Sequence, residues 1–371
     1  MREKGAEVVV IGAGLAGLAC AYFCAKAGLS NVILLEKDGV FSKASGATFG
    51  CLAPSFFPVT MPHSKKLGDR GLQTIKNFAA EEDVDLELRT MGLLNLFWTP
   101  EKGDEARAKV RQEQDAGYVV SLLEQKELKE VEPELSPQIL GAIYKPDQCH
   151  LNPLKLAGAL YKKGREKGVR VHTFTKIKMC KHKGDQLSAI VTEQGDIETS
   201  VVVNAAGPWA SEVGKLMGAD IPVAPLKGQG IATEPLPEIV RNIVLDLVAV
   251  VQDHPGNVIA GGTKEPVGFD TRSTHEAFQF ICSQAARLFP KLRKVTVLRT
   301  WAGLRAVAPD RLPILGEVPG LKSVYLITGL ADTGVLTSVI SGKLVAELIA
   351  GKSRDPLLDP FSLSRFTGQK S

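Results

Sequence analysis

The segment Gly12-Ala13-Gly14-Leu15-Ala16-Gly17 constrains this chain more than any other. It reads G-x-G-x-x-G, and its surroundings give the pattern force. The β-branched run from Glu7 to Ile11 precedes it and reads as a strand. Leu15 to Ala27 reads as a helix of small residues ending at Gly28, and Asn31 to Glu36 as a second strand. Together they make a βαβ unit of the kind that holds a dinucleotide. Gly12 would permit the tight turn, Gly14 would let backbone approach a pyrophosphate, and Gly17 would let helix and strand pack closely. Leu15 and Ala16 open the helix, whose free N–H groups and positive end suit phosphates. Glu36, at the end of the second strand, would accept from ribose hydroxyls and repel a 2′-phosphate. The motif alone does not choose between NAD and FAD.

At 371 residues the chain exceeds one ordinary core, so two domains are expected. Forty-five basic and 41 acidic residues leave a net charge of +4, too small to imply nucleic acid. Cys20, Cys24, Cys51, Cys149, Cys180 and Cys282 form no C-x-x-C pair and read as reduced thiols of a cytoplasmic protein. Cys20 and Cys24 read as two small buried residues of one helix. No metal set is expected. The histidines are scattered, and His150 and His254 read as surface-loop residues. No stretch approaches the ~20 apolar residues of a membrane span. A strand already under way at Val8 argues against a signal peptide. Peripheral contact with the inner membrane stays compatible with the sequence.

Further along, His63 to Glu82 reads as an amphipathic helix and Leu86 to Trp98 as strand. Lys102 to Glu130 is charged and reads as a helical surface excursion. Asn152 suits an N-cap and Pro153 the first position of a helix running to Lys167. Strand signals from Val169 to Val203 flank a turn at Lys183-Gly184-Asp185. A helix is expected from Thr274 to Phe289, a strand from Val324 to Gly329, and a long helix from Thr333 to Ile349. With no repeat and no linker, the two domains must interleave.

Several blocks share an order and spacing with one family. They are the glycine motif with Glu36, Asn204-Ala-Ala-Gly207-Pro-Trp209, Lys227-Gly-Gln229, and Gly261 to Asp270. Thr300-Trp-Ala-Gly-Leu-Arg305, Pro309 to Gly316, and Gly329 to Thr337 complete the set. On these the chain resembles the D-amino-acid-oxidase-like flavoproteins, nearly end to end. That group includes glycine and sarcosine oxidases, the catalytic subunits of proline, hydroxyproline and opine dehydrogenases, and hydrogen cyanide synthase. The resemblance implies an α/β fold with a Rossmann-like FAD-binding domain and a mixed-sheet α+β substrate domain. Residues 1–85, 150–215 and 300–371 would form the first, and 86–149 with 216–299 the second. It also implies FAD as cofactor.

The resemblance extends the cofactor contacts beyond the glycine motif and Glu36 to Lys37. A loop of Ser45, Gly46, Ala47 and Thr48 would wrap the pyrophosphate and reach the flavin. Ala205, Ala206, Gly207 and Trp209 would line the FAD, as would Gly303 and Arg305. Gly329, Asp332, Thr333, Gly334, Val335 and Leu336 would bring a helix N-terminus to the flavin edge, where reduction places negative charge. Arg305 matches the arginine that grips the substrate carboxylate, for which a planar, permanently charged guanidinium is suited. A structural ion pair with an acidic neighbour is the plainer reading of Arg305.

Two positions depart from the family pattern. Leu330, Ala331 and Asp332 stand where relatives carry histidine, a polar or aromatic residue and arginine, so a second carboxylate clamp is missing. Val248 to Val251 stands where relatives carry a substrate-binding tyrosine. The pocket is therefore expected to be larger than one built for glycine, with Asp332 a contact for a cationic group. Asp310-Arg311 fills the region where sarcosine oxidase tethers its flavin, so non-covalent FAD is expected. The implied activity is oxidation of a C–N bond in an amino acid, imino acid or N-substituted amino acid by hydride transfer, giving an imine that hydrolyses. Electrons would pass to oxygen, to a quinone or dye, or to a partner subunit of a hetero-oligomer; a homo-oligomer is equally open. A hydroxy-acid or glycerol-phosphate-type dehydrogenase, and a flavin-holding scaffold without turnover, are the alternatives.

Overall fold

The structure is a computed structural model and describes residues 3–366. Its centre is a six-stranded sheet in the order Ile314–Glu317, Val324–Thr328, Val202–Asn204, Val8–Ile11, Val32–Leu35, Arg170–His172. All neighbours run parallel except the edge strand Ile314–Glu317. Strands buried on both faces should be apolar throughout. Val8 to Ile11 and Val32 to Leu35 are so, and every one of these residues is buried.

The period-two alternation divides these residues between two cores. Val8, Val10, Val32 and Leu34 face a layer of helices, Leu15–Lys26, Pro62–Glu81, Pro153–Glu166 and Gly334–Ile349. Val9, Ile11, Ile33 and Leu35 face a four-stranded sheet of Glu3–Ala6, Ile177–Lys183, Gln186–Thr192 and Gly195–Thr199, with the helix Ala210–Met217. The helix after the glycine turn is apolar almost all round because helices cover it on two sides. Cys20 and Cys24 are buried there, and a Cβ on Gly342 of the last helix would lie 2.6 Å from the Cys20 nitrogen.

A nine-stranded mixed sheet forms the other half. It is assembled from Cys51–Leu52, Arg89–Phe97, Ser121–Glu124, Gly141–His150, Ala224–Pro235, Ile243–Leu245, Ala249–Gln252, Asn257–Gly261 and Val297–Val307. The helix His275–Leu288 covers one face. The strand Val297–Val307 pairs along its length with Ala224–Pro235, so the division expected at residue 300 falls inside a strand. Likewise Cys51–Leu52 pairs with Gly141–His150 of this sheet.

Local signals set several boundaries. Asn152 Oδ1 accepts from the N–H groups of Leu154 and Lys155 at 3.0 and 3.2 Å, and Pro153 opens the helix. Thr274 caps the helix at His275 by accepting from Ala277 N–H at 3.3 Å. The Lys183-Gly184-Asp185 turn joins two antiparallel strands. Two expectations need correction. The stretch from Lys102 to Glu130 is not one helical excursion: Ser121–Glu124 is a strand pairing with Gly141–His150, between the helices Pro100–Asp115 and Gln125–Val131. His150 is not on a surface loop but ends a strand, buried, with Nε2 at 2.8 Å from the Phe49 carbonyl. Burial lowers its pKa to about 4, so the ring stays neutral. His254 is exposed in a turn.

A buried carboxylate braces the second sheet. Glu132 accepts from the N–H groups of Arg241 and Asn242 and from Asn242 Nδ2, each at 2.9 Å. Asn242 Oδ1 then accepts from Gly92 N–H at 3.0 Å. Burial raises the Glu132 pKa to about 7 despite these donors. Replacing Glu132 with leucine strands three donors, and a loss of ~3 kcal/mol is expected in denaturant unfolding. The folded pKa lies above the unfolded value of ~4.3, so the carboxyl's contribution weakens as pH rises between them. The deficit of Glu132→Leu should therefore be larger near pH ~5 than near pH ~8; the reverse order would refute this reading.

Candidate functional site

Between the parallel sheet and the nine-stranded sheet lies a cavity of about 1500 Å³. Its walls come from both halves, which is where ligand sites of such sheets belong. Gly12, Gly14, Leu15 and Ala16 line one end, with Glu36 and Lys37 beside them. Ser45, Ala47, Thr48, Ala205, Ala206, Gly207 and Trp209 continue the wall. Gly303, Arg305, Gly329, Asp332, Thr333, Gly334, Val335 and Leu336 line the rest of the expected set. Gly17 and Gly46 do not reach it. Their place is in packing: a Cβ on Gly17 would lie 1.8 Å from the Gly12 carbonyl, and one on Gly46 2.5 Å from that of Phe41.

The glycine turn is tight for a local reason. Gly12 sits at φ +105°, and a Cβ there would meet the Ala205 carbonyl at 2.5 Å. The helix Leu15–Lys26 has no side-chain cap, and its first N–H groups lack intrahelical partners. Ser45 Oγ accepts from Leu15 N–H at 2.9 Å, placing the loop hydroxyl at the helix end. Glu36 is held by backbone, accepting from Ala13 N–H at 2.8 Å and Asp38 N–H at 2.9 Å. Lys37 lies over the Trp209 ring, 3.9 Å from its centroid, and Trp209 stacks on Phe269. Burial pulls the Lys37 pKa down. Across the cavity, the helix Gly334–Ile349 also begins without a side-chain cap. Two helix N-termini, a glycine cradle that a Cβ would fill, and a backbone-anchored glutamate fit the pyrophosphate, ribose and reducible ring of FAD.

The remainder of the cavity has a different character. Trp301, Gly303 and Arg305 alternate along one strand, so all three face the cavity. Trp301 Nε1 donates to the Ala47 carbonyl at 3.0 Å, tying this sheet to the cofactor loop. Phe49, Leu93, Ile243, Leu245 and Ala249 add an apolar wall. Ala249 contributes only a methyl group to this wall.

Arg305 lies flat against Gly228 of the neighbouring strand, where a Cβ would come within 2.0 Å of Nη1. Nη1 donates to the Thr263 carbonyl at 3.0 Å, and Nε pairs with Asp332 Oδ1 at 2.5 Å. Lys264 Nζ stands 3.7 Å from Asp332 Oδ2. The structure thus brings Arg305 and Asp332 together, with Lys264 as a third member that sequence reasoning passed over. No local pattern marks Lys264, because its partner lies 68 residues away in the chain.

Behind Lys264 the motif Lys227-Gly228-Gln229 has a structural purpose. Lys227 is buried and pairs with Glu265 at 3.0 Å, while Gln229 Nε2 and Thr263 Oγ1 donate to the same carboxylate. Burial alone would raise the Glu265 pKa, but hydrogen bonds from Thr263, Lys227 and Gln229 hold it below the usual range. This network fixes the turn that carries Thr263 and Lys264. Cys51 is the one cysteine lining the cavity among the described residues, and burial raises its thiol to about 12. Asp310 and Arg311 do not line it; Asp310 pairs with Arg365 at 2.7 Å. Among the described residues no helix is long and apolar enough to cross a membrane, and no group of three His, Cys, Asp or Glu side chains is placed to hold a metal.

Comparison with known proteins agrees with this geometry. The chain is 28% identical to hydrogen cyanide synthase subunit HcnC of Pseudomonas protegens, covering 98% of this chain and 97% of that one. The solved glycine oxidase of Geobacillus kaustophilus superposes with a TM-score of 0.89 at 27% identity, over 97% of this chain and 98% of the other. L-proline dehydrogenase from P. horikoshii gives a TM-score of 0.88 at 25% identity, over 98% and 99%. The profile of the DAO family, described as FAD dependent oxidoreductase, matches residues 7–348. The chain therefore belongs to the DAO family of FAD-dependent oxidoreductases.

Proposed function

We propose that the protein oxidises the C–N bond of an amino acid, cyclic imino acid or N-substituted amino acid bulkier than glycine. The observation that carries this is Arg305, a guanidinium backed by strand and facing a chamber whose other wall is apolar. The fork takes the substrate carboxylate and fixes which carbon faces the cofactor. The wall of Phe49, Ile243 and Leu245 excludes water and favours the neutral amine, whose lone pair must be free to expel hydride. Bound FAD supplies the two-electron acceptor. N–H groups opening the helix Gly334–Ile349 stabilise the negative charge that reduction brings, by ~1–2 kcal/mol. No dedicated acid or base is needed, which accords with a cavity that His150 does not line. The names of relatives, glycine oxidase, proline dehydrogenase and a cyanide synthase subunit, support the same chemistry.

Anaerobic titration of the holoenzyme tests substrate class by flavin bleaching. Bulkier amino or imino acids are expected to bleach at lower concentration than glycine or sarcosine; either of those two as best substrate would overturn the size assignment. Reoxidation by air, or only by a dye, then identifies the acceptor class. Cys51, as a protonated thiol, is a poor nucleophile. Acid precipitation is accordingly expected to release FAD into the supernatant, and flavin retained on the pellet would refute non-covalent binding.

A further inference from the structure

Asp332 sits on the edge of Arg305 that a substrate carboxylate needs. Part of the rest of the guanidinium is also taken up. Gly228 backs it on one side, and Nη1 is engaged by the Thr263 carbonyl. Asp332 takes Nε at 2.5 Å, which removes the Nε–Nη2 edge as a two-point fork. Arg305 cannot retreat, since even a Cβ on Gly228 would collide with it. Admission of a carboxylate to the Nε–Nη2 edge therefore requires Asp332 to turn away.

A carboxylate released from Arg305 is favoured by a cation within reach. Lys264 Nζ is already 3.7 Å from the second oxygen of Asp332. Its side chain is about half exposed, at 50%, and free to follow, whereas its backbone is fixed by the Lys227–Glu265–Gln229 network. Charge accounting agrees. Arg305, Lys264 and Asp332 sum to +1, so one incoming carboxylate with a neutral amine brings the group to zero. Without Lys264 the same event would leave −1.

Resting on the assignment of Arg305 to the substrate carboxylate, we infer that Asp332 is an internal competitor for Arg305 and that Lys264 is the positioning residue that receives it when substrate enters. Lys264 acts through Asp332 and does not hold the substrate. The pair would make the site selective for ligands whose carboxylate displaces Asp332.

The test is a double-mutant cycle read by calorimetric titration of the holoenzymes with cyclohexanecarboxylate, an apolar carboxylate with no amine to oxidise. Lys264→Met is expected to weaken binding about fivefold, as loss of one partly exposed charge partner should. Asp332→Asn is expected to tighten it about tenfold by removing the competitor. In the Asp332→Asn background, Lys264→Met should change the affinity less than about twofold. An equal loss from Lys264→Met in both backgrounds would mean that Lys264 meets the carboxylate itself, and would overturn the inference; so would no effect in either. Arg305→Met is the control for the underlying assignment. If it binds as tightly as wild type, or if no variant binds at all, the assignment of Arg305 fails independently of Lys264.

Discussion

Arg305→Met is expected to retain FAD while losing about a thousandfold in kcat/KM toward carboxylate-bearing substrates, equivalent to ~4 kcal/mol of transition-state stabilisation. The side chain lies on the wall formed by the strand Val297–Val307, whereas the glycine turn and Glu36 belong to the other half. Methionine fills much of the same volume over Gly228 but offers no fork. Asp332 keeps Lys264 as a partner, so the variant leaves no uncompensated carboxylate. Stopped-flow measurement of flavin reduction separates the outcomes. A slower limiting rate together with weaker saturation places Arg305 in both orientation and binding. An amine lacking a carboxylate should lose little. Full activity with FAD in place would return Arg305 to the plainer role of an ion-pair partner.

Gly12→Ala addresses the other half of the site. At φ +105° an L side chain is strained, and the added Cβ would stand 2.5 Å from the Ala205 carbonyl and 2.9 Å from its carbon. Both are backbone atoms of the residue that follows the central strand Val202–Asn204, and they cannot move aside cheaply. Ala205 N–H is hydrogen-bonded to the Ile11 carbonyl at 2.9 Å, so any shift would disturb the strand pairing itself. Strain and clash together cost ~3 kcal/mol or more, which weakens FAD retention more than a hundredfold if the turn opens to relieve them. The protein is expected to purify nearly colourless, with reduced thermal stability. Wild-type affinity in a fluorescence titration with FAD would show that the turn does not set the cofactor site.

The cofactor end was legible in the sequence because its determinants are local. A strand, three glycines, a helix and an acidic strand end lie within 30 residues, and each residue's purpose follows from backbone geometry. The cap at Asn152 was legible for the same reason. The substrate end was legible only in part. Arg305 could be singled out by resemblance, but its contacts with Asp332 and Thr263 join separate segments, and no periodicity encodes them. Lys264 was hidden inside a recognised block. His150 misled because a histidine after Asp147-Gln148-Cys149 looks like loop, whereas the strand continues to it and the Phe49 carbonyl satisfies its ring. Ser121–Glu124 was lost among charged helical neighbours, since four residues are too few to show alternation, and pairing with Gly141–His150 decides them.

The contact between the helices Leu15–Lys26 and Gly334–Ile349 has a consequence for biosynthesis. The first helix leaves the ribosome with apolar residues on nearly every side, and the helix that packs Gly342 against Cys20 follows more than three hundred residues later. The strands Val202–Asn204 and Val324–Thr328, which complete the central sheet beside Val8–Ile11, also arrive late. The nucleotide-binding half therefore cannot close while the chain is still growing, and its earliest segment must wait with sticky surface exposed. Such a chain should depend on chaperone protection during synthesis, and slow or interrupted translation should yield aggregate rather than a soluble N-terminal fragment.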